Sequence, residues 1–250
     1  MTPMRAGPEV AVLSYHKIGP PPPGGWDTWY YVPTEVFARH LADLAAGGWA
    51  FIDLATFLAG LVDPAVLPDR SAFVTFDDAY RSTRTKALPV LERFACPGVV
   101  FAPCAYVGGW NDFDNGSEPP EPICSWDDLC ALQAGGVSVQ SHGLAHLAMS
   151  SLGSDEQARE LRNSKAMLEN TLGTKVEVHA FPFGDDGTEP LVMAAHLRAT
   201  GYRAAFLYGG GPVRVSQAER YRLTRLAMGP DSDLKVMLDP LAREHPAEAD

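Results

Sequence analysis

The chain has 250 residues, 46% of them hydrophobic, and carries 31 acidic against 20 basic side chains, for a formal net charge of −11; that is enough for one large core in a single domain. The acidic balance and the lack of clustered Lys and Arg exclude a nucleic-acid binder, which needs a basic face for phosphates, and favour neutral substrates. No apolar run reaches the length of a transmembrane span, and the opening residues lack a signal-peptide core, so the expected location is cytoplasmic.

In chain order, "VAVLS" (10–14) reads as a first strand. A helix follows, carrying Phe37, Leu41, Leu44 and Ala45 at helical spacing and closed by Gly47 and Gly48. The alternation then repeats. "AFID" precedes a short helix near 55–61, "AFVTF" a helix running to about Phe94, and "GVVFA" a long loop and a helix opening at "SWDDL". "VSVQ" is followed by a helix around 155–172, "VEVHAF" by one near 189–199, and "RAAFLY" and "YRLTRLAM" complete the series. About eight strands alternating with helices, without a GxGxxG fingerprint, predict an α/β fold of the (β/α)-barrel type in one domain, residues 1–229. The Pro- and Gly-rich stretches 19–25 and 108–122 are loops of that domain, and residues 230–250 form a polar tail expected to fray. Cys96, Cys104, Cys124 and Cys130 have no zinc-type spacing and read as reduced, mostly buried thiols.

In such a barrel, chemistry gathers where strands end. His16 follows the first strand, Asp77 and Asp78 follow "AFVTF", His142 and His146 follow "VSVQS", and the turn "FPFG" (181–184) follows "VEVHA". Two imidazoles four apart and one carboxylate make a two-His-one-carboxylate ligand set that leaves coordination positions open, with zinc the first choice and nickel, cobalt or iron as alternatives. A divalent cation can lower the pKa of bound water to about 7, so one aspartate would hold the cation while its neighbour takes the proton. Successive strand residues point oppositely, so the pair belongs where the strand bends away.

Each feature has an ordinary alternative. Asp77–Asp78 can be a helix N-cap, an HxxxH pair can be two surface histidines, and a lone His16 can be a hydrogen-bonded core residue. Their convergence on one face favours catalysis. The aromatics of 24–31, with Trp110 and Phe113, either cover sugar rings or pack their loops. His40, His196 and His245 are expected to face solvent, and His179 to be structural.

These motifs resemble those of the NodB-homology polysaccharide deacetylases, carbohydrate esterase family 4, over roughly Val10 to Met228. "TFDDA" is similar to the family's TFDDG, "HGLAH" to HSxxH or HTxxH, and "FPFG" to the YPYG form. The opening "LSYHKIG" resembles the poly-N-acetylglucosamine deacetylase branch, in which the catalytic-acid motif lies at the N-terminus. The resemblance implies a distorted barrel of seven or eight strands. It further implies Asp77 as general base, Asp78, His142 and His146 as metal ligands, the Phe183 N–H as oxyanion donor, and His16 as general acid. An N-acetylated sugar would be the substrate. Ala79 stands in place of the motif glycine, Gly143 of Ser or Thr, and Ala180 of a groove arginine, and no Leu-x-His motif lies near the C-terminus. Those departures keep two alternatives open: another C–N bond, such as a cyclic imide or ureide, or a noncatalytic sugar binder. Oligomeric state is not legible.

Overall fold

The computed structural model describes residues 9–211 and 219–243. Its elements are β1 (Glu9–Tyr15), β2 (Lys17–Ile18), β3 (Tyr31–Val32), α1 (Thr34–Ala46), β4 (Ala50–Phe51), α2 (Leu54–Val62), β5 (Arg70–Phe76), α3 (Leu88–Arg93), β6 (Gly98–Ala102) and α4 (Trp126–Ala134). They continue as β7 (Val137–Ser141), α5 (Ser154–Leu172), β8 (Val178–Ala180), α6 (Pro190–Thr200), β9 (Ala204–Gly210), β10 (Leu223–Ala227) and α7 (Leu234–Arg243).

The sheet runs β1-β10-β9-β8-β7-β6-β5 and closes where β1 pairs with β5, so seven parallel strands make a complete ring. β1 matches β5 along its whole length, from Glu9 opposite Arg70 to Tyr15 opposite Phe76, and meets β10 at Leu13 and Ser14. The two-residue β4 is the eighth strand. It pairs with the start of β5, at Ser71 and Ala72, on the edge whose later part carries β6, and so lies outside the ring.

Side-chain alternation divides the core in two. Val10, Val12, Phe73, Phe101, Val178 and Phe206 face the interior, where α2 inserts Phe57, stacked on Phe73 at 4.5 Å. The intervening residues Ala11, Leu13, Val74 and Phe76 pack outward against helices, α1 contributing Phe37, Leu41 and Leu44. α4 opens with a Ser125–Asp128 capping box, and α5 ends on Gly173 in the left-handed region (φ 68°), the conformation a helix terminus asks of glycine.

Three expectations change. The helix expected up to Phe94 is a π-helical turn, Thr83–Ala87, leading into α3; Pro89 has no N–H to donate, which weakens regular α-helical bonding there. Within the tail, residues 234–243 form α7, whose Leu234 is buried and whose Met237 and Leu238 pack on the outer core; residues 244–250, with His245, lie outside the described residues. His40 is buried rather than solvent-facing, its ring nitrogens meeting the Tyr15 hydroxyl at 3.1 Å and the Ser232 carbonyl at 3.2 Å. His179 is structural as expected, buried with Nδ1 3.2 Å from Ser141 Oγ. All four cysteines are free, and only Cys130 is exposed.

The long loop 108–122 folds over the barrel mouth and is pinned there. Lys17, 1% exposed, places Nζ 2.6 Å from Glu118 Oε2 and lies over the Tyr31 and Tyr80 rings, while the Tyr80 hydroxyl donates to Asp114 at 2.9 Å. No helix among the described residues is long and apolar enough to cross a membrane.

Candidate active site

β5 ends at Phe76, and the Asp77 N–H still donates to the Tyr15 carbonyl at 2.8 Å, so the first aspartate keeps the strand's frame. Asp78 and Ala79 then turn into the left-handed region, with φ of 66° and 52°. The bend sends the two carboxylates to different partners, which is how adjacent acids are accommodated in a buried place.

Asp77 faces Arg225 of β10. The guanidinium donates from both terminal nitrogens, Nη1 to Oδ1 and Nη2 to Oδ2, at 2.7 Å each. Arg225 is 0% exposed; its Nε donates to the Leu207 carbonyl at 2.8 Å, and the group lies over the Phe101 and Phe206 rings. Burial, the largest single influence, would by itself raise the Asp77 pKa, but the charge and hydrogen bonds of Arg225 together with His142 and His16 hold the carboxyl below its usual range. Such a fork-to-fork pair fixes the carboxylate plane as well as its charge.

Asp78 faces His142 and His146, whose Nε2 atoms lie 3.2 and 3.0 Å from its Oδ1. Burial opposes its ionisation, yet the two imidazoles hold it well below the usual carboxylate range. His142 Nδ1 meets the Ala180 carbonyl at 2.8 Å, which orients the ring and directs Nε2 to the mouth. His146 is clamped between Phe113, at 4.0 Å between ring centroids, and Phe183 at 4.7 Å.

His16 lies across the mouth, Nε2 3.9 Å from Asp78 Oδ2, its ring between Tyr30 and Tyr208. Burial lowers its pKa, against the pull of Asp78 and Asp77. Phe183 occupies the "FPFG" turn in the left-handed region (φ 59°, ψ 7°) with its side chain 60% exposed at the rim. The structure therefore brings all six expected residues to one cavity or its wall. His16, Asp78, His142, His146 and Phe183 line a space of about 240 Å³ together with Tyr30, and Asp77 is the sequence neighbour of Asp78 but not part of that lining.

Among the described residues, of the non-glycine residues with positive φ, Asp78, Ala79, His146 and Phe183 belong to this site and only Ala95 does not. Backbone held there costs about 1–2 kcal/mol per residue, so the surrounding packing must enforce it. Gly184 (φ 70°) is one enforcing point, because a Cβ added to it would come 2.7 Å from the Tyr208 backbone nitrogen. Gly184→Ala is expected to lower stability by about 2 kcal/mol or more and to displace Phe183; urea unfolding checks the first, and unchanged stability would show that the turn is not held by this contact.

The donor set fits a divalent cation. The three candidate atoms of Asp78, His142 and His146 lie within 4.8 Å of one another, all buried, and Asp78 Oδ1 has no hydrogen-bond partner of acceptable geometry among the described residues. Separations of 3.0–3.2 Å between these atoms compare with about 3.3 Å between two ligands of a tetrahedral zinc.

Arg225 is the residue that sequence reasoning missed. An arginine had been sought at position 180, on β8, whereas the guanidinium comes from β10. The signal was a charged residue inside the apolar run "LTRLA", at an inward-facing position where a lone charge has no reason to be.

A closed parallel barrel carrying a buried Asp–His–His set and a carboxylate–arginine pair at its mouth has the layout of a barrel whose active site lies at the carboxyl ends of its strands. Residues 65–205 match the family model described as polysaccharide deacetylase, more than half of the chain, and the chain belongs to that family. The matched stretch includes Asp77, Asp78, His142, His146 and Phe183 but not His16 or Arg225. A relative in Bacillus subtilis (strain 168), YxkH, provisionally named a polysaccharide deacetylase, is 22% identical over 222 residues, 89% of this chain and 72% of its own. Among solved structures, IcaB from Ammonifex degensii is 26% identical with a TM-score of 0.71, covering 90% of this chain and 94% of its own. The Streptococcus pyogenes deacetylase PplD, solved with acetate, shares the fold at 17% identity with a TM-score of 0.78, covering 96% of this chain and 100% of its own.

Proposed function

We propose that this protein is a divalent-metal-dependent hydrolase that removes acetyl groups from an N-acetylated sugar. The observation that carries the reading is the pair of carboxylates with separate tasks: Asp78 facing two imidazoles, and Asp77 held ionised by Arg225. Membership of the polysaccharide deacetylase family supports an acetylated sugar as the substrate.

A cation held by Asp78, His142 and His146, most plausibly zinc, would supply Lewis-acid polarisation and acidified water. Asp77 accepts the proton of the attacking water at Oδ1, which keeps a lone pair beyond the one engaged by Arg225, whereas Oδ2 also accepts from Ser14 Oγ at 3.4 Å. The backbone N–H of Phe183, on its left-handed turn, donates to the oxyanion developing on the acetyl group. His16 hands a proton to the departing nitrogen; burial lowers its pKa, an effect that the carboxylates of Asp78 and Asp77 only partly oppose. The C–N bond breaks, and acetate and a free amino sugar leave.

Chelator treatment with verified metal removal should stop acetate release from N-acetylglucosamine oligomers, and added Zn2+ or Co2+ should restore it. Undiminished release by metal-free protein would refute metal dependence. A metal-loaded protein that frees no acetate from any N-acetyl sugar would redirect the reading to another C–N bond.

A further inference from the structure

The two candidate histidine ligands are secured differently. His142 has its second ring nitrogen on the Ala180 carbonyl, whereas His146 Nδ1 is buried and has no hydrogen-bond partner among the described residues. A ligating histidine usually owes its orientation to a partner on that second nitrogen. His146 must owe its orientation to its backbone and to the two aromatic rings that flank it. Its backbone is left-handed (φ 52°) at the end of a segment that begins with Gly143, also left-handed at φ 82°.

The midpoint of that segment is held from outside the barrel. Glu160, on α5, receives the N–H of Leu144 at 2.8 Å and the N–H of Ala145 at 3.0 Å, both on Oε2. The two peptides so gripped lie between the two histidines. A Cβ on Gly143 would meet the same oxygen at 3.5 Å, an ordinary contact, so what favours glycine there is its left-handed backbone rather than space. Among the described residues no other side chain accepts from the N–H groups of 144 and 145, while the carbonyls of Gly143 and Leu144 accept from the Cys104 and Ala105 N–H groups at 3.2 and 2.8 Å.

We infer that Glu160 is a positioning residue for the metal centre, which sets His146 by clamping the Leu144–Ala145 peptides. The inference rests on the metal-site reading of the previous section and adds a residue with no contact to substrate or cation. A carboxylate accepting two N–H groups makes charge-assisted bonds, stronger than those of a neutral acceptor. With the clamp gone, the segment can relax from its left-handed turn and carry His146 Nε2 away from Asp78 and His142.

The test measures the dissociation constant for Zn2+ by competition with a chromophoric chelator, together with urea unfolding of the metal-free protein. Glu160→Ala should weaken zinc binding by about 10–100-fold, the usual range for a group that orients a ligand. Glu160→Gln, which keeps a neutral acceptor, should fall between that variant and the wild type. Glu169→Ala is the matched control. On the same helix, Glu169 Oε1 accepts the Val176 N–H at 2.9 Å, far from the site in sequence and outside the cavity. It should lose stability and keep its zinc affinity. Zinc affinities of the Glu160 variants within twofold of wild type would overturn the inference while leaving the metal reading intact. If Glu160→Ala does not fold, the Gln variant decides alone. A wild type that binds no zinc would overturn both.

Discussion

Replacing Arg225 by methionine should destabilise the protein by about 3–5 kcal/mol at neutral pH, because a buried carboxylate is left without its counter-charge. The guanidinium is wholly buried and makes both bonds to Asp77, so solvent has little access to replace it. Removing both charges together, Arg225→Met with Asp77→Asn, should recover much of that loss, since neither partner is then a desolvated ion. Urea unfolding of the two singles and the double closes the cycle. The pH dependence has a defined sign. In the wild type the folded Asp77 pKa lies below its unfolded value of about 3.9. Its stabilisation is therefore full above that value and lost as pH falls through the folded pKa. In Arg225→Met burial acts without the opposing charge, the folded pKa moves up, and acidification relieves the unpaired ion. The stability gap between variant and wild type should narrow from neutral pH toward pH 4; a constant gap would mean that the pair is not the source of the loss.

Asp77→Asn should reduce acetate release by about two to four orders of magnitude, the usual contribution of a positioned base, while zinc content stays near that of the wild type. The separation of roles follows from the bend at Asp78: Asp77 points to Arg225 and Asp78 to the imidazoles. Elemental analysis alongside turnover distinguishes the cases. Loss of zinc in Asp77→Asn would mean that both carboxylates serve the cation, and turnover close to wild type would remove Asp77 as base. His142→Ala, by contrast, should lose the metal itself.

Strand and helix order were legible because short apolar runs alternate with segments of helical spacing and the turns carry Gly and Pro. The gathering of His16, Asp78, His142, His146 and Phe183 around one cavity was legible because side chains that follow strands in a parallel barrel share one end. What escaped has physical reasons. The pairing of Arg225 with Asp77 joins residues 148 apart, and only barrel closure makes them neighbours. β2 and β3 are two residues each, too short for any periodicity. α7 was hidden in a polar composition, its contact with the core resting on Leu234, Met237 and Leu238. His40 looked like a surface residue of α1 because its partners, Tyr15 and Ser232, lie on other elements. The clamp by Glu160 has no sequence signature either, since one glutamate on an amphipathic helix resembles any other.

The place of β1 between β5 and β10 has a consequence for how the molecule is made. The first strand finds one neighbour early, at residues 70–76, but its second only when residues 223–227 have been synthesised. Without residues 223–227 β1 would keep only β5 as a neighbour, and Asp77 would lack the Arg225 guanidinium. A nascent or truncated chain thus holds both aspartates and both candidate histidine ligands yet lacks the charge that keeps Asp77 ionised. One strand, β10, therefore both completes the ring beside β1 and brings the Arg225 guanidinium to Asp77.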